Sequence, residues 1–505
     1  MKSVYLETFG CQMNVLDSEL VLGQLSSMGY QPTDDVRTAD LVLFNTCSVR
    51  QHAEDKVYSR LGEVAKLKKR RPDMVVGVIG CMAERDHDGI QTKAPHVDLL
   101  CGPGNLNEIP SLLAEVLEAR EAAEASRAGG RLRGDGNAHR LAVALERDHS
   151  RRTPAAERTK LFDSIEALDL SRDVPPDGRV LQSYVRVQRG CDKFCTFCVV
   201  PFTRGPERSR PPEHIVQEIR KLADLGAKEI TLLGQTVNSY KYRDESGKLV
   251  NFADLLELVH DVGGIERIRF VTSYPGDFTD DILQAMRDLP KVCEYLHIPA
   301  QSGSNEVLKR MKRQYTVEQY EELLARAREV VPGISLAGDF IVGFCGETEA
   351  DHEQTLALVE RTRYKNIYMF KYSERPGTVA DRRLPDDVPE AVKQRRHTEL
   401  AALQKRMCLA HHQAMVGREI EVLVEGYSKA AIKAQEAEQT RGHEVSWKRS
   451  NQLTGRSRGD EIVVFTGPET LIGQFVRIRV TSATALTLHG EVVTQADRLT
   501  SLNVL

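Results

Sequence analysis

Residues 189–201 read RGCDKFCTFCVVP and place Cys191, Cys195 and Cys198 on one short loop behind a strand-forming run. Three thiolates at this C-x3-C-x2-C spacing suit a soft metal or an iron–sulfur cluster. In a cubane cluster each thiolate binds one iron, so three thiolates leave the fourth iron open to a small molecule. A structural zinc site normally takes a fourth protein ligand, which the neighbouring sequence does not supply. A zinc or purely structural site stays as the alternative.

The cysteine loop follows the first of six strand-forming runs that alternate with amphipathic stretches between about residues 181 and 410. The six runs are SYVRVQRG, EITLLGQ, RIRFVTS, EYLHIPA, ISLAGDFIVGF and NIYMFKYS. Their alternation without pairing hairpins predicts a partial parallel (β/α)6 barrel. Functional residues are then expected in the loops behind the strands.

Three strands of an earlier segment also end in cysteine. The stretches SVYLETFGCQMN, DLVLFNTCSV and MVVGVIGCMA place Cys11, Cys47 and Cys81 just beyond apolar runs. Because binding groups collect at the carboxyl ends of parallel strands, these three thiols are expected to meet. Three independent core cysteines would explain the same pattern. Cys101 ends a fourth run, HVDLLCGPGN, and is interpreted as a buried core residue.

The strands of this first segment alternate with helices, which predicts a parallel α/β domain covered on both faces. Strands are predicted near 3–9, 41–45, 75–79 and 97–101, and helices near 15–28, 53–70 and 105–120. Three domains are predicted: the α/β domain at 1–118, the (β/α)6 core at 179–410 and a small all-β barrel at 411–497. A charged linker at 119–178 joins the first two. The all-β barrel is predicted from short strands with Gly and Asn at the turns. The arginines of the linker could contact phosphate or simply be solvated.

The whole-chain composition excludes several classes of protein. The chain has 505 residues, a formal charge of −4 and ten cysteines. No apolar stretch is long enough to span a bilayer and the start carries no secretory signal, so we expect no membrane association. A cytoplasmic location follows, where ten cysteines are expected as thiols rather than disulfides.

The C-x3-C-x2-C loop at the opening of a partial barrel resembles the radical S-adenosylmethionine superfamily. The resemblance implies that Cys191, Cys195 and Cys198 hold a 4Fe–4S cluster whose open iron binds S-adenosylmethionine. One electron from the cluster then cleaves the sulfonium and gives a 5′-deoxyadenosyl radical. The chemistry lies at the cofactors, so no side chain is assigned a catalytic role, His297 included.

The resemblance also implies contacts to S-adenosylmethionine. LLGQTVNSY ends the second barrel strand, and GDFIVGFCGET contains the fifth. The residues expected to touch the cofactor are Phe197, Gly234, Gln235, Ile341 and Gly343. Without the cysteine loop, a glycine behind a strand would indicate only a turn. Where similar proteins carry proline the chain has Cys345, which is interpreted as a packing change.

A three-cysteine amino-terminal domain, a radical barrel and a small β-barrel together resemble the methylthiotransferase family. The resemblance implies that Cys11, Cys47 and Cys81 hold a second 4Fe–4S cluster with an open iron. It further implies two S-adenosylmethionine molecules, one for the radical and one for the methyl group. The small barrel resembles the RNA-binding TRAM domain.

The local signature TFGCQMNVLDSE is similar to the MiaB-type members of that family. These add a methylthio group to carbon 2 of N6-dimethylallyladenosine next to the tRNA anticodon. One departure is Thr236, where asparagine is commoner. The alternatives are a methylthiotransferase for threonylcarbamoyladenosine in tRNA or for a ribosomal-protein aspartate, and a non-catalytic iron–sulfur module that binds RNA.

Basic residues surround the single tryptophan, Trp447, in the carboxy-terminal segment. They are Lys429, Lys433, Arg441, Lys448, Arg449, Arg456 and Arg458. Cations can bind phosphate and an indole can stack on an unpaired base, although a core tryptophan beside solvated charges would look the same. The expected partners are a tRNA anticodon loop, an external electron donor and a sulfur source, with the chain as a monomer.

Overall fold

A computed structural model describes residues 2–48, 51–128, 141–145, 165–172, 180–440 and 451–493. Its amino-terminal domain is built on a parallel sheet with strand order β2-β1-β3-β4-β5-β6. The strands are β1 Lys2–Phe9, β2 Tyr30–Pro32, β3 Leu41–Thr46, β4 Val75–Gly80, β5 Leu99–Cys101 and β6 Ala142–Ala144. The helices are α1 Gln12–Ser27, α2 Gln51–Arg70, α3 Cys81–Arg85, α4 His87–Lys93 and α5 Ile109–Ala128. The predicted parallel α/β fold is confirmed.

Two hydrophobic clusters cover the two faces of this sheet. One packs α1 and α5 against Leu41, Leu43 and Ile79, and the other packs α2 and α4 against Val42 and Val76. Every residue of β3 and β4 is buried, as expected for strands between two helical layers. The buried strands hold their carboxyl ends, and therefore the cysteines behind them, in fixed positions.

The charged stretch at 119–178 contributes to the folded domain, in contrast to the predicted linker. Ala142, Val143 and Ala144 form β6, which pairs in parallel with β5. A short helix, α6 (residues 165–170), buries Ile165 and Leu168. The two apolar runs are short, and the composition of the whole stretch is dominated by charged residues. The sequence therefore predicted only a linker.

The central domain has six parallel strands, as predicted for a partial (β/α)6 barrel. They form two sheets, β13-β10-β7 and β14-β15-β16, joined by a single bridge between Ile268 and Val292. The strands are β7 Gln182–Arg186, β10 Glu229–Leu233, β13 Arg267–Phe270, β14 Tyr295–His297, β15 Ser335–Val342 and β16 Asn366–Lys371. The helices are α7 Val200–Thr203, α8 Pro212–Asp224, α9 Phe252–His260, α10 Asp280–Asp288, α11 Asn305–Arg310, α12 Val317–Val330, α13 Glu349–Thr362, α14 Val379–Arg383 and α15 Glu390–Gln413.

The expectation that this domain contains no hairpins is wrong. Two short antiparallel pairs stand beside the barrel: β8 Gln188–Arg189 with β9 Arg208–Ser209, and β11 Lys241–Arg243 with β12 Leu249–Asn251. The second is closed by a turn in which the Asp244 carboxylate accepts the Lys248 N–H group at 2.9 Å. Strands of two or three residues are too short to show an apolar alternation, so the sequence pattern missed them.

The carboxy-terminal domain is a closed barrel of order β17-β18-β19-β21-β20, as predicted. The strands are β17 Glu419–Tyr427, β18 Gln452–Ser457, β19 Ile462–Thr466, β20 Phe475–Ala483 and β21 Leu488–Val492, with α16 Lys429–Thr440 behind the first. The strand predicted at 444–451 falls almost wholly outside the described residues. Arg267 and Arg269 of β13 donate to backbone carbonyls of this barrel. The small barrel therefore docks at the amino-terminal ends of the central strands.

The amino-terminal domain docks at the opposite, carboxyl ends of the central strands. Asp17 of α1 accepts hydrogen bonds from Arg186 at 3.1 Å and from Arg204 at 2.7 Å. Arg186 also contacts Asp169 of α6 at 2.5 Å. All four side chains are fully buried. Three separate segments of the chain thus meet in one buried network of charges.

The Asp17→Ala variant tests this network. Removing one partner of a buried ion pair costs about 3–5 kcal/mol, because the remaining charge stays buried, and here two arginines lose their shared carboxylate. We expect urea unfolding, followed by circular dichroism, to begin at a clearly lower concentration. The control is Asp35→Ala, whose ion pair with Arg37 is exposed and whose loss should leave the midpoint unchanged. Equal midpoints for the two variants would contradict the prediction.

Candidate functional site

The three amino-terminal cysteines meet at one edge of the first sheet. Cys11 precedes α1, Cys47 follows β3, and Cys81 is the first residue of α3 behind β4. A Cβ added at Gly10 would lie 2.9 Å from the Cβ of Cys47. A hydrogen bond from Cys47 lowers the pKa of Cys11 to about 6. The structure therefore brings these thiols together, as the sequence predicted.

Two buried asparagines hold the strand ends that carry these thiols. The Asn14 amide donates to the side chain of Asn45 at 3.0 Å and to the Thr46 carbonyl at 3.2 Å. Asn45 donates in return to the Asn14 carbonyl at 2.8 Å. The Cys11 thiol points its S–H group at the Asn14 side-chain oxygen, 3.3 Å away. Because both asparagines are fully buried, this pair fixes the first and second cysteines relative to each other.

Gly80 sets the position of the third cysteine. Its backbone is left-handed, with φ +92°, and an added Cβ would lie 2.5 Å from the Asn45 side-chain oxygen and 2.7 Å from the Thr46 carbonyl. A side chain here would therefore clash with groups that cannot move. The glycine lets β4 turn into α3 directly beside β3, which delivers Cys81 to the other two.

The cysteine loop of the central barrel is held by backbone hydrogen bonds. The Cys191 N–H group donates to the Gly205 carbonyl at 3.1 Å, and the Cys198 N–H group to the Cys195 carbonyl at 3.0 Å. Arg313 donates to the Cys195 sulfur at 3.5 Å, while its Nε–H group donates to the Tyr315 hydroxyl at 2.8 Å. The three thiols of the loop are close enough to act on one another electrostatically.

Burial raises the pKa of thiols in both groups. Desolvation raises the pKa of Cys191 to about 11 and also raises that of Cys198 above its usual value. It raises the pKa of Cys81 as well, against the opposing charge of Arg204. The pKa of Cys11 is lowered instead, chiefly by the hydrogen bond with Cys47. Without bound iron, burial therefore holds Cys81, Cys191 and Cys198 as protonated thiols.

A single metal ion does not match either group of thiols. Among the described residues, no three His, Cys, Asp or Glu side chains are placed to hold one ion. A cubane cluster needs a wider arrangement, because each thiolate binds a different iron. All ten cysteines lie in the described part of the chain, and none forms a disulfide. The donor set therefore fits a cluster better than the zinc alternative.

The polar residues predicted to touch S-adenosylmethionine lie beside the cysteine loop. Gly234 directly follows β10 and lies so close to Gln188 that an added Cβ would be 3.1 Å from the Gln188 side-chain oxygen. The side-chain oxygen of Gln235 and the side-chain nitrogen of Gln188 are buried and have no hydrogen-bond partner among the described residues. Buried amides without partners are costly. These atoms therefore fit the polar end of a bound cofactor.

The apolar residues predicted for the cofactor also meet. Phe197 and Ile341 pack on one cluster that contains Phe344, and the Phe197 and Phe344 rings are 6.3 Å apart. Gly343 has φ +72°, and the Lys393 side chain occupies the space where its Cβ would stand. Each residue sits at its predicted place, while its contact to the cofactor stays a prediction.

Cys101 and Cys345, two of the four cysteines outside these groups, make packing contacts. Cys101 is fully buried and donates its S–H group to the Asn105 carbonyl at 3.2 Å. Burial raises the pKa of Cys101 well above its usual value. Cys345 belongs to the apolar cluster with Phe344. These contacts agree with the packing roles predicted for both.

The predicted RNA-binding residues divide into three groups. Trp447, Arg441, Lys448 and Arg449 lie outside the described residues. Lys429 and Lys433 are exposed on α16. Arg456 and Arg458 are instead paired, with Asp460 at 2.8 Å and with Glu294 at 2.7 Å. The ion pair between Arg458 and Glu294, which directly precedes β14, holds the small barrel against the central domain.

Sequence reasoning missed the arginines of the site. Arg204 and Arg313 both stand beside predicted cluster cysteines. His297, to which the sequence assigned no catalytic role, accepts the Thr272 N–H group at 3.2 Å and contacts Asp339 at 3.2 Å. The position of Arg204, six residues after Cys198, could have indicated a role at the site. The sequence alone does not distinguish such an arginine from one exposed on the surface.

Family models match all three domains of the chain. Residues 3–102 match Uncharacterized protein family UPF0004, residues 185–359 match the Radical SAM superfamily, and residues 444–493 match the TRAM domain. The fold and the cysteine loop thus define a radical S-adenosylmethionine enzyme with an appended TRAM domain. Among the described residues, no helix combines the length and apolarity that crossing a membrane requires.

Curated relatives match nearly the whole chain. A tRNA-2-methylthio-N(6)-dimethylallyladenosine synthase from Rhodopirellula baltica is 46% identical over 98% of this chain and 96% of its own length. Enzymes of the same name from Thermoanaerobacter sp. and Moorella thermoacetica are 42% and 41% identical, over 97% of this chain and 92% and 98% of their own lengths. The chain belongs to the tRNA-2-methylthio-N(6)-dimethylallyladenosine synthase family.

Solved structures are similar at much lower identity. The radical S-adenosylmethionine methyltransferase TsrM from Kitasatospora setae is 14% identical, with a TM-score of 0.48 over 75% of this chain and 77% of its own.

Gly80→Ala should disrupt the amino-terminal thiol site. Gly29→Ala is the matched control, because Gly29 has a similar left-handed φ of +86° but nothing within 4 Å of an added Cβ. The backbone penalty of about 1–2 kcal/mol is then common to both variants, and the clash at Gly80 adds about 1–3 kcal/mol. Urea unfolding and bound iron per chain measure the difference. Equal losses in the two variants would show that the close approach at Gly80 does not matter.

The thiols of the iron-free protein should alkylate in a set order. A pKa of about 6 makes Cys11 mostly thiolate above that pH, whereas a pKa of about 11 keeps Cys191 a thiol until the solution is strongly alkaline. Thiolates are the reacting species. With iodoacetamide at pH 7.5, peptide mass spectrometry should show Cys11 labelled well before Cys191.

The Cys47→Ala variant is the control for this order. It removes the hydrogen bond that contributes most to the low pKa of Cys11, so labelling of Cys11 at pH 7.5 should slow. Equal labelling rates for Cys11 and Cys191 in the unmodified chain would contradict the predicted difference in pKa.

Proposed function

We propose that the chain adds a methylthio group to carbon 2 of N6-dimethylallyladenosine next to the anticodon of tRNA. The reaction uses two 4Fe–4S clusters and two S-adenosylmethionine molecules. Family membership supports the substrate and the reaction. The observation that carries the two-cluster assignment is the meeting of Cys11, Cys47 and Cys81 at the domain face that docks onto the carboxyl end of the barrel.

The chain's own residues supply the binding sites. Cys191, Cys195 and Cys198 would hold the cluster that, when bound, supplies one electron for the cleavage of S-adenosylmethionine. Cys11, Cys47 and Cys81 would hold the second cluster, where sulfur is presented. Gly234 allows close approach, and Gln188 and Gln235 offer unpaired polar atoms to the cofactor. Burial of both sites excludes water from a reactive radical.

Docking brings the two thiol sites towards one substrate. The arginines at positions 186, 189 and 204 of the barrel contact the amino-terminal domain through Asp17 and the Pro103 carbonyl. Both groups of cysteines then stand at the carboxyl end of the barrel strands. A base in a duplex cannot enter such a site, so the adenosine must turn outward from a loop. The anticodon loop provides an unpaired base of this kind.

The small barrel would hold the tRNA at a distance from the chemistry. It docks at the amino-terminal ends of the barrel strands, and α16 exposes Lys429 and Lys433 there. Exposed lysines can contact phosphate without reading sequence. A separate electron donor and sulfur source, a monomeric chain and a cytoplasmic location complete the proposal.

Single cysteine variants separate the two sites in the reconstituted holoenzyme. The unmodified chain should bind about eight irons and, when reduced, form 5′-deoxyadenosine and methylthiolated tRNA. Cys11→Ala should retain 5′-deoxyadenosine formation and lose methylthiolation. Cys191→Ala should lose both. Liquid chromatography with mass spectrometry of the nucleosides measures the products.

The reconstituted protein and a deletion strain together distinguish the alternative functions. If only one cluster forms and S-adenosylmethionine is not cleaved, the chain is an RNA-binding iron–sulfur module. In a deletion strain, loss of the methylthio group from the dimethylallyl nucleoside supports the proposal. Unchanged tRNA nucleosides would point instead to a ribosomal-protein substrate.

A further inference from the structure

The guanidinium of Arg204 is buried with an incomplete set of partners. Its side chain is 3% exposed, and its Nη2–H group donates to Asp17 at 2.7 Å. Asp17 also accepts from Arg186, so two cations share this one carboxylate. The Nη1 group of Arg204 has no hydrogen-bond partner among the described residues. A buried charged donor without an acceptor is costly, which indicates that an acceptor belongs there.

The groups beside Arg204 are the thiols of the amino-terminal site. Arg204 directly follows α7, and α7 packs against α3, the helix that begins at Cys81. The charge of Arg204 also opposes the rise in the pKa of Cys81. Sulfur at this site is therefore an acceptor within reach of the unused donor.

We propose that Arg204 is a positioning residue for the amino-terminal cluster: its Nη1–H group donates to a sulfur atom of that site, and its charge offsets the thiolates. The inference rests on the proposed function, because it takes Cys11, Cys47 and Cys81 as cluster ligands.

Arg204 reaches this site from the other domain. It follows α7, directly behind the loop that carries Cys191, Cys195 and Cys198. Arg375, which lies in the barrel behind β16, likewise acts on Cys47 and contacts Glu54 at 3.1 Å. The amino-terminal domain thus supplies the thiols while the barrel supplies cations. The sulfur-presenting site is complete only when the two domains are docked.

The predicted consequence is a shift in reduction potential. When a cluster takes up one electron it becomes more negative, with no bond made and no proton moved. A neighbouring cation and an N–H···S hydrogen bond stabilise that reduced state and raise the potential. Replacing Arg204 by an uncharged residue should therefore make the midpoint potential of the amino-terminal cluster more negative.

The full chain carrying C191A, C195A and C198A isolates this cluster for measurement. In that background we compare R204M, R204Q and R204K by titration with titanium(III) citrate, followed by electron paramagnetic resonance. R204M and R204Q should shift the midpoint to more negative values and lose iron faster to a chelator. R204K keeps the charge but lacks the Nη1 donor, so its shift should be smaller.

R210M is the matched control. Arg210 is equally buried and pairs with Glu166 at 2.8 Å and Glu218 at 2.7 Å, and neither partner is a cysteine. Its loss should lower the unfolding midpoint and leave the potential of the background unchanged. If R204M does not fold, R204K carries the test.

The outcomes separate the inference from the function. If the background chain fails to bind about four irons, the ligand assignment fails and the proposed function with it. If it binds them and the R204 variants keep its potential and its rate of iron loss, only the role of Arg204 is overturned. A shift of the same size in R210M would also overturn it, because the effect would then come from the interface as a whole.

Discussion

One buried carboxylate, Asp17, joins the two domains that carry cysteines. It accepts hydrogen bonds from Arg186, which ends the first barrel strand, and from Arg204, which follows the cysteine loop. Without it Arg204 would lose the carboxylate it pairs with and Arg186 would keep only Asp169, and an unpaired interior charge costs several kcal/mol. The contact fixes how the first sheet sits on the barrel, and therefore how one group of thiols faces the other.

The same network sets the electrostatics of the thiols. The hydrogen bond from Cys47 lowers the pKa of Cys11 most, the charge of Arg204 adds to that effect, and the same charge partly opposes the desolvation of Cys81. In the barrel, Arg313 donates a hydrogen bond to Cys195 and its charge acts on Cys198, but burial dominates at Cys191 and Cys198. The charges around the two groups of thiols therefore differ.

Much of the architecture could be read from short sequence patterns. Apolar runs with cysteine just behind them predicted β3 and β4, because a strand between two helical layers must be apolar throughout, and the half-apolar run before Cys11 predicted β1. The structure of the charged stretch at 119–178 could not be predicted in this way. There, Ala142–Ala144 become a strand only because β5 offers an open edge, and α6 is buried only because Arg186 and Arg210 pair with its acidic residues. Those partners are distant in sequence.

The sequence by itself determined the identity and spacing of the thiols, the order of the three folds and the family. A strand that ends in cysteine delivers its thiol to the sheet edge whatever surrounds it, since the direction of the chain is local. Only the tertiary structure decided that Arg204 serves the amino-terminal cysteines and not the loop beside it in sequence. The direction that the long Arg204 side chain takes depends on the position of its buried carboxylate partner. That partner, Asp17, belongs to the other domain.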